Sequence, residues 1–168
     1  MTEKVFETAL GINAPWFVKR VNFEAAARTM RIDIDFMAGS RFACPGVDGV
    51  HPVHDTVCKR YRHLNFFQHE CFLGVRQPRV KLHNGRVVLV EPGWAGKLSG
   101  FTLLFEALVL MLCQQMTFAA TARLVGESWH RVSAICGHYV ELACARADFS
   151  QVRALAIDET SRAPATIT

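Results

Sequence analysis

Thr117-Phe118-Ala119-Ala120-Thr121-Ala122-Arg123-Leu124-Val125-Gly126-Glu127-Ser128-Trp129-His130-Arg131-Val132 is the stretch on which the fold of the 168-residue chain turns. Two short helices joined by a tight turn make three demands. The first helix needs a small residue where the second crosses it. The turn needs a residue that tolerates a left-handed backbone, and the second helix needs an apolar residue facing the first. Ala122, Gly126 and Val132 stand at those places. Val125 and Ile135 add apolar inner positions, and Gly126 accepts positive φ without a Cβ clash. The pattern predicts a helix-turn-helix; an ordinary helical hairpin meets the same demands.

Thr117 is placed to cap a helix over residues 118–125, and Ser128 a longer one reaching about Ala147. Upstream, Thr102 is placed to cap a helix over residues 103–115. In the second helix of the pair, Ser128, His130 and Arg131 are expected outside, with Ser133 and His138 beside them. Arg131 suits a guanine edge or a phosphate. Charge works against a polyanion here, because Glu127 and Glu141 offset Arg123 and Arg131. Phe118 and Trp129 read as helix-packing residues.

Before Pro92-Gly93-Trp94 the texture is that of strands. Residues 16–23 are rich in aromatic and β-branched side chains. Residues 28–36 alternate, with Met30, Ile32, Ile34 and Phe36 facing one way and Arg31, Asp33 and Asp35 the other. A hairpin near residues 24–27 joins them. A short helix over residues 3–10 precedes, with Thr2 as its N-cap. Residues 38–55, dense in glycine and proline, read as loop. Residues 60–64 lead into a strand over residues 66–77, and His83-Asn84-Gly85 marks a tight turn between residues 80–82 and 86–90. A weak alternation over residues 153–158 begins a last strand. The predicted fold is α+β: a small β-rich module with a basic face, a helix-turn-helix bundle, then one terminal strand. The divisions fall at residues 1–92, 93–150 and 151–168.

Net charge is +4, with 19 Lys and Arg against 15 Asp and Glu. Its distribution is uneven. Lys59, Arg60, Arg62, Arg76, Arg79, Lys81 and Arg86 lie in one window with a single acid, Glu70, which makes that window +6 and leaves the remainder at −2. A localised cationic stripe suits a polyanion; a solvated sheet face rich in arginine is the bland reading. The apolar run over residues 101–113 is too short to cross a bilayer, and no leader is read, so neither membrane nor secreted placement is expected. The six cysteines include no Cys-x-x-Cys pair, and reduced thiols in a cytoplasm are expected. Cys113, Cys136 and Cys144 read as core.

Cys44, His51, His54, Cys58 and His83 are ligand types that zinc takes. A knuckle would require cysteine where Val47 stands, so packed thiols and hydrogen-bonded histidines are the expected state. Asp158-Glu159 closes the last strand, a common position for a divalent-metal carboxylate, yet two-metal chemistry needs several acids that converge.

Together these pieces resemble the ISL-three family of bacterial insertion-sequence transposases. Arg60-Tyr61-Arg62-His63-Leu64-Asn65 is similar to that family's Arg-x-Trp-Arg-His-Leu-Asp block. Cys44-Pro45 resembles the start of its zinc knuckle, followed by Val53-His54-Asp55, and Pro78-Arg79-Val80 precedes the place of the second knuckle. Pro92-Gly93-Trp94-Ala95 resembles its Pro-Trp-Ala element, and Ser99-Gly100-Phe101-Thr102 the continuation into helix. Ala122-Arg123-Leu124-Val125-Gly126 resembles its helix-turn-helix, and Ala156-Ile157-Asp158-Glu159-Thr160-Ser161 its first catalytic strand.

The resemblance implies a DNA-binding portion of a truncated transposase that recognises transposon ends. Arg60, Arg62, Arg76, Arg79 and Lys81 would meet the backbone, and Ser128, His130 and Arg131 the bases. It implies an RNase-H-like catalytic domain with three acids on magnesium. Only the first, Asp158, has a counterpart, so the chain alone is expected to be inactive and to need no cofactor. The zinc site is degraded: Val47 replaces a cysteine, Leu82-His83-Asn84-Gly85 replaces the second knuckle, and Cys44 is a remnant. Gly93 is an insertion between Pro92 and Trp94. Expected partners are double-stranded DNA, a second copy, or an intact transposase whose action it would inhibit. The reading from another class is a protein-interaction module presenting Phe101, Leu104, Phe105, Leu108 and Leu112.

Overall fold

The computed structural model describes residues 2–98 and 100–154. The chain is α+β, with a six-stranded sheet followed by three helices. A first helix, α1 (Thr2–Leu10), leads into β1 (Trp16–Glu24) and β2 (Thr29–Phe36), an antiparallel hairpin. Then come β3 (Arg41–Cys44), β4 (Val47–Phe66), β5 (His69–Lys81) and β6 (Val87–Leu89). The order across the sheet is β1-β2-β5-β4-β3, with β6 also on β5. Among the described strand pairs β2–β5 is parallel and the others are antiparallel.

Alternation in β2 does what its sequence predicts. Met30, Ile32 and Ile34 lie beside Cys71, Leu73 and Val75 of β5 and are buried with Tyr61, Phe6 and Ile12. The register places the opposite residues in rows on the other face. One row runs Asn22, Arg31, Phe72, Arg62; the next runs Arg20, Asp33, Gly74, Arg60.

The loop expected over residues 38–55 is instead β3 and the first part of β4. Its glycines and prolines turn a hairpin: Pro45-Gly46 joins the strands, with Gly46 at φ +74°. Phe67-Gln68 turns β4 into β5 with neither glycine nor proline, so residues 60–77 read as one run. The Asn84-Gly85 turn between β5 and β6 is present. Cys44, Phe42, Val80 and Leu82 are buried together, with Val47 packed against them. Val47 and Leu82 have no metal-binding atoms, and among the described residues no three potential ligands converge. The described residues around Cys44 thus do not assemble a zinc knuckle's ligand set.

Three helices follow: α2 (Leu103–Cys113), α3 (Phe118–Val125) and α4 (Trp129–Arg146). Thr102, Thr117 and Ser128 cap them, each side-chain oxygen accepting a backbone N–H of the first turn. Phe101, Phe105, Val109, Ala122, Val125, Val132 and Ile135 form their core. Phe101 and Phe105 are therefore interior, not part of a docking surface; Leu104 is exposed. Phe118, Trp129 and Cys144 also depart from expectation, since all three are exposed. Arg153 and Ala154 carry no strand. Asp158 and Glu159 lie outside the described residues. Among the described residues no helix is long and apolar enough to cross a membrane.

Candidate nucleic-acid interface

The helix-turn-helix is built as its sequence demands. α3 ends at Gly126, whose φ of +72° and ψ of +33° are left-handed. The Gly126 and Glu127 N–H groups both donate to Ala122 O, closing the helix end. Ala122 and Val132 are buried at the crossing, with Val125 and Ile135 beside them. Ser128, at the start of α4, is exposed, and so is His130.

Arg131 is exposed as well, its side chain folded along the surface. Its guanidinium donates to Glu127 Oε2 at 2.5 Å, and its Cζ lies 4.0 Å from the Phe101 ring centroid. The side chain thus lies back over the seam between helices and sheet.

That seam is made by the Arg60–Asn65 block. Residues 100–102 run beside β4: Arg62 N–H donates to Gly100 O at 2.8 Å, and Thr102 N–H donates to Arg62 O at 3.1 Å. The Arg62 side chain is 3% exposed. It donates to His63 O at 2.7 Å, Cys71 O at 3.3 Å and Asn65 Oδ1 at 2.6 Å, with Glu70 Oε1 at 3.5 Å. Phe72 and Phe105 flank it, each centroid 5.2 Å from its Cζ. An arginine so placed is unavailable to a phosphate, so the expected backbone role of Arg62 is replaced by a structural one. Its row of the sheet continues through the Arg62–Phe101 bridge, and Phe101 is the ring beneath Arg131. A Cβ on Gly126 would also lie 2.8 Å from Glu70 Oε1. The turn of the helix pair therefore rests against the same sheet face as Arg31 and Arg60.

His63 Nδ1 lies 2.9 Å from Thr102 Oγ1, the hydroxyl that caps α2. Burial, with the Arg62 charge adding to it, pushes the imidazole down to about 4 from an ordinary 6.5. The folded chain therefore refuses a proton that the unfolded chain binds as pH falls below 6.5. Stability is full above about pH 6.5 and declines toward pH 4, by an amount of about 3 kcal/mol for this one group. His63→Asn, which keeps an atom near Nδ1, is expected to flatten that part of the pH profile in urea melts between pH 4.5 and 7.

The remaining cations divide into two sets. Arg76 Nε donates to Asp35 Oδ1 at 2.7 Å, and Arg79 makes a two-pronged pair with Asp55. Burial pushes the Asp35 carboxyl up, but hydrogen bonds from Arg76, the Phe36 N–H and Lys19 outweigh it, and the group lies below its usual range. The Arg79 hydrogen bond likewise lowers Asp55. Arg60 is exposed, with its Cζ 4.4 Å over the Phe72 ring. Lys81 is exposed at the end of β5. Arg60 lines an open groove of about 400 Å³ with Lys19, Arg20, Arg31, Lys59 and Arg76, among which stand Asp33 and Asp35. Among the described residues no acid lies within ion-pair distance of Arg20, Lys59 or Arg60. Lys19, Arg20 and Arg31 come from the first hairpin, outside the basic window of the sequence. Their signal was the strand alternation that puts Arg31 on the outer face.

No curated protein and no solved structure matches the chain. Residues 90–140, which hold α2, α3, the Gly126 turn and most of α4, match the family model for the helix-turn-helix domain of transposase family ISL3.

Proposed function

We propose that the chain binds double-stranded DNA at transposon ends as the DNA-binding part of an insertion-sequence transposase. The N-terminal end of α4 enters the major groove, and the sheet cations meet the adjoining phosphates. The observation that carries this reading is the exposed Ser128 end of α4, in a helix pair whose turn rests on the sheet face bearing Arg20, Arg31 and Arg60. Arg60 and Lys81 remain from the basic stripe as free phosphate contacts, while Arg76 and Arg79 are partly neutralised by Asp35 and Asp55. Strand cleavage is not assigned to these 168 residues, in which Asp158 alone matches a catalytic acid.

Titration of a fluorescent 30-base-pair duplex at several salt concentrations tests the reading. Affinity is expected to fall as salt rises, and Arg60→Ala to reduce the log–log slope by about 1. Affinity indifferent to salt overturns it. A second reading, a helical module that pairs with an intact transposase, is favoured by the exposure of Leu104, Met111 and Leu124 on α2 and α3. Co-expression with an intact relative, followed by sedimentation without DNA, separates the two: a chain that stays monomeric beside the intact protein overturns the pairing module.

A further inference from the structure

We infer that the β4–β5 turn is a minor-groove wedge, its Phe67 ring entering between base pairs close to where α4 lies in the major groove; this rests on the DNA-binding reading above. Phe67 and Gln68 are the two residues between the paired Phe66 and His69. Phe67 has a φ of +53°, a left-handed backbone in which a bulky side chain is an outlier and glycine or asparagine the usual choice. It is also 85% exposed, more than any other large apolar side chain among the described residues. Neither the turn nor the core thus calls for a phenylalanine there, and strain of this kind gathers where a chain meets a ligand. The ring is seated: Phe66 meets it edge-on at 4.8 Å and is itself packed on the sheet core beside Phe6 and Phe23.

Two contacts bring this turn to the helix pair. Just before it, Leu64 and Asn65 line one groove with Leu124 and Val125 at the end of α3. Just after it, the Glu70 carboxylate lies against Gly126. Phe67 is three residues of chain from Glu70, at most about 11 Å, and Gly126 is two from Ser128, at most about 7 Å. Even with the Glu70 side chain between them, the ring and the start of α4 fall within one turn of a duplex, about 34 Å. The surrounding side chains suit the minor groove, where proteins combine Arg, Asn or Gln with an apolar group that parts a base step and kinks the duplex. Asn65, Gln68 and Arg28 are all exposed beside Phe67. Arg28 O accepts the Glu70 N–H at 2.8 Å, which holds the β1–β2 turn at this end of the sheet, and among the described residues no acid lies within ion-pair distance of Arg28. Asn65 Oδ1 is taken by Arg62, so its NH₂ is left to donate, and the floor of the minor groove offers acceptors.

The test selects a duplex from a random-sequence pool with the whole chain, then rebuilds it with a dye at each end for energy transfer and, in a second series, with 2-aminopurine at successive positions. The bound duplex is expected to bend, and 2-aminopurine to brighten at one step as its stacking is lost. Phe67→Asn suits the left-handed turn, so it is expected to unfold at the same or a higher urea concentration than the parent. It is expected to bind about tenfold more weakly and to leave the duplex straight. Phe67→Trp is expected to keep the bend. A straight duplex with 2-aminopurine dark at every position overturns the inference, while salt-dependent binding leaves the DNA-binding reading in place. Phe67→Asn that binds and bends DNA as the parent does also overturns it, whether or not its sedimentation changes. Absence of binding at every salt concentration removes both.

Discussion

Glu106→Ala is expected to lower the unfolding free energy by about 4 kcal/mol, a large part of what a domain of this size commands. Glu106 is fully buried in α2. Its carboxylate accepts the Lys97 N–H at 3.1 Å, the Leu98 N–H at 2.9 Å and the Tyr139 hydroxyl at 2.6 Å. One side chain thus ties the segment entering α2 and the middle of α4 to the same point. Burial, with Glu106 adding to it, pushes the Tyr139 phenol up to about 12. Truncation strands three donors and leaves a void, and each stranded group carries a desolvation cost of about 1–3 kcal/mol. Gly96 completes the site. A Cβ there would stand 2.3 Å from Glu106 Oε1 and 2.7 Å from Phe101 O, so no side chain fits beneath the carboxylate. Urea denaturation measures the loss. Glu106→Gln, which keeps shape but turns an NH₂ toward a donor, is expected to fall between the two.

Arg62→Ala is the second large effect, again about 4 kcal/mol, read by the same urea melts. Arg60→Ala, two residues away on an exposed position, is expected to change stability by less than about 1 kcal/mol and to act on DNA affinity instead. The contrast follows from burial. Arg62 gives hydrogen bonds to His63 O, Cys71 O and Asn65 Oδ1 from between two phenylalanine rings, and its removal takes a donor from all three, the Cys71 carbonyl among them buried, and opens a void between the rings. Arg62→Lys restores the charge without the planar fork and is expected to recover little. Equal melts for the Arg62 and Arg60 variants would refute the structural role.

Local signals were legible in the sequence. The caps Thr102, Thr117 and Ser128, the Gly126 turn and the Ala122/Val132 crossing each depend on a few adjacent residues, and the alternation of β2 needs only its own period. Contacts across the sheet were not. The basic window over residues 59–86 contains Arg76 and Arg79 but not their partners Asp35 and Asp55, which arrive from β2 and β4 through the register. A count along the chain therefore overstated the positive face and passed over Arg20 and Arg31. Arg62 looked equivalent to Arg60 because only the placement of residues 100–105 covers one and spares the other. Glu106 read as an interruption of an apolar run. A single acid within an otherwise apolar helix was the available sign that the acid itself is interior.

The shared seam bears on any attempt to cut the protein in two. Thr102, which starts α2, receives its second hydrogen-bonding partner from His63, and Phe105 lies against the Arg62 guanidinium. Contacts therefore cross the change of texture at residue 92, and a cut there is expected to destabilise both sides. A fragment beginning at residue 93 would forfeit the floor on which its helices stand, and the two halves should melt cooperatively as a single calorimetric event.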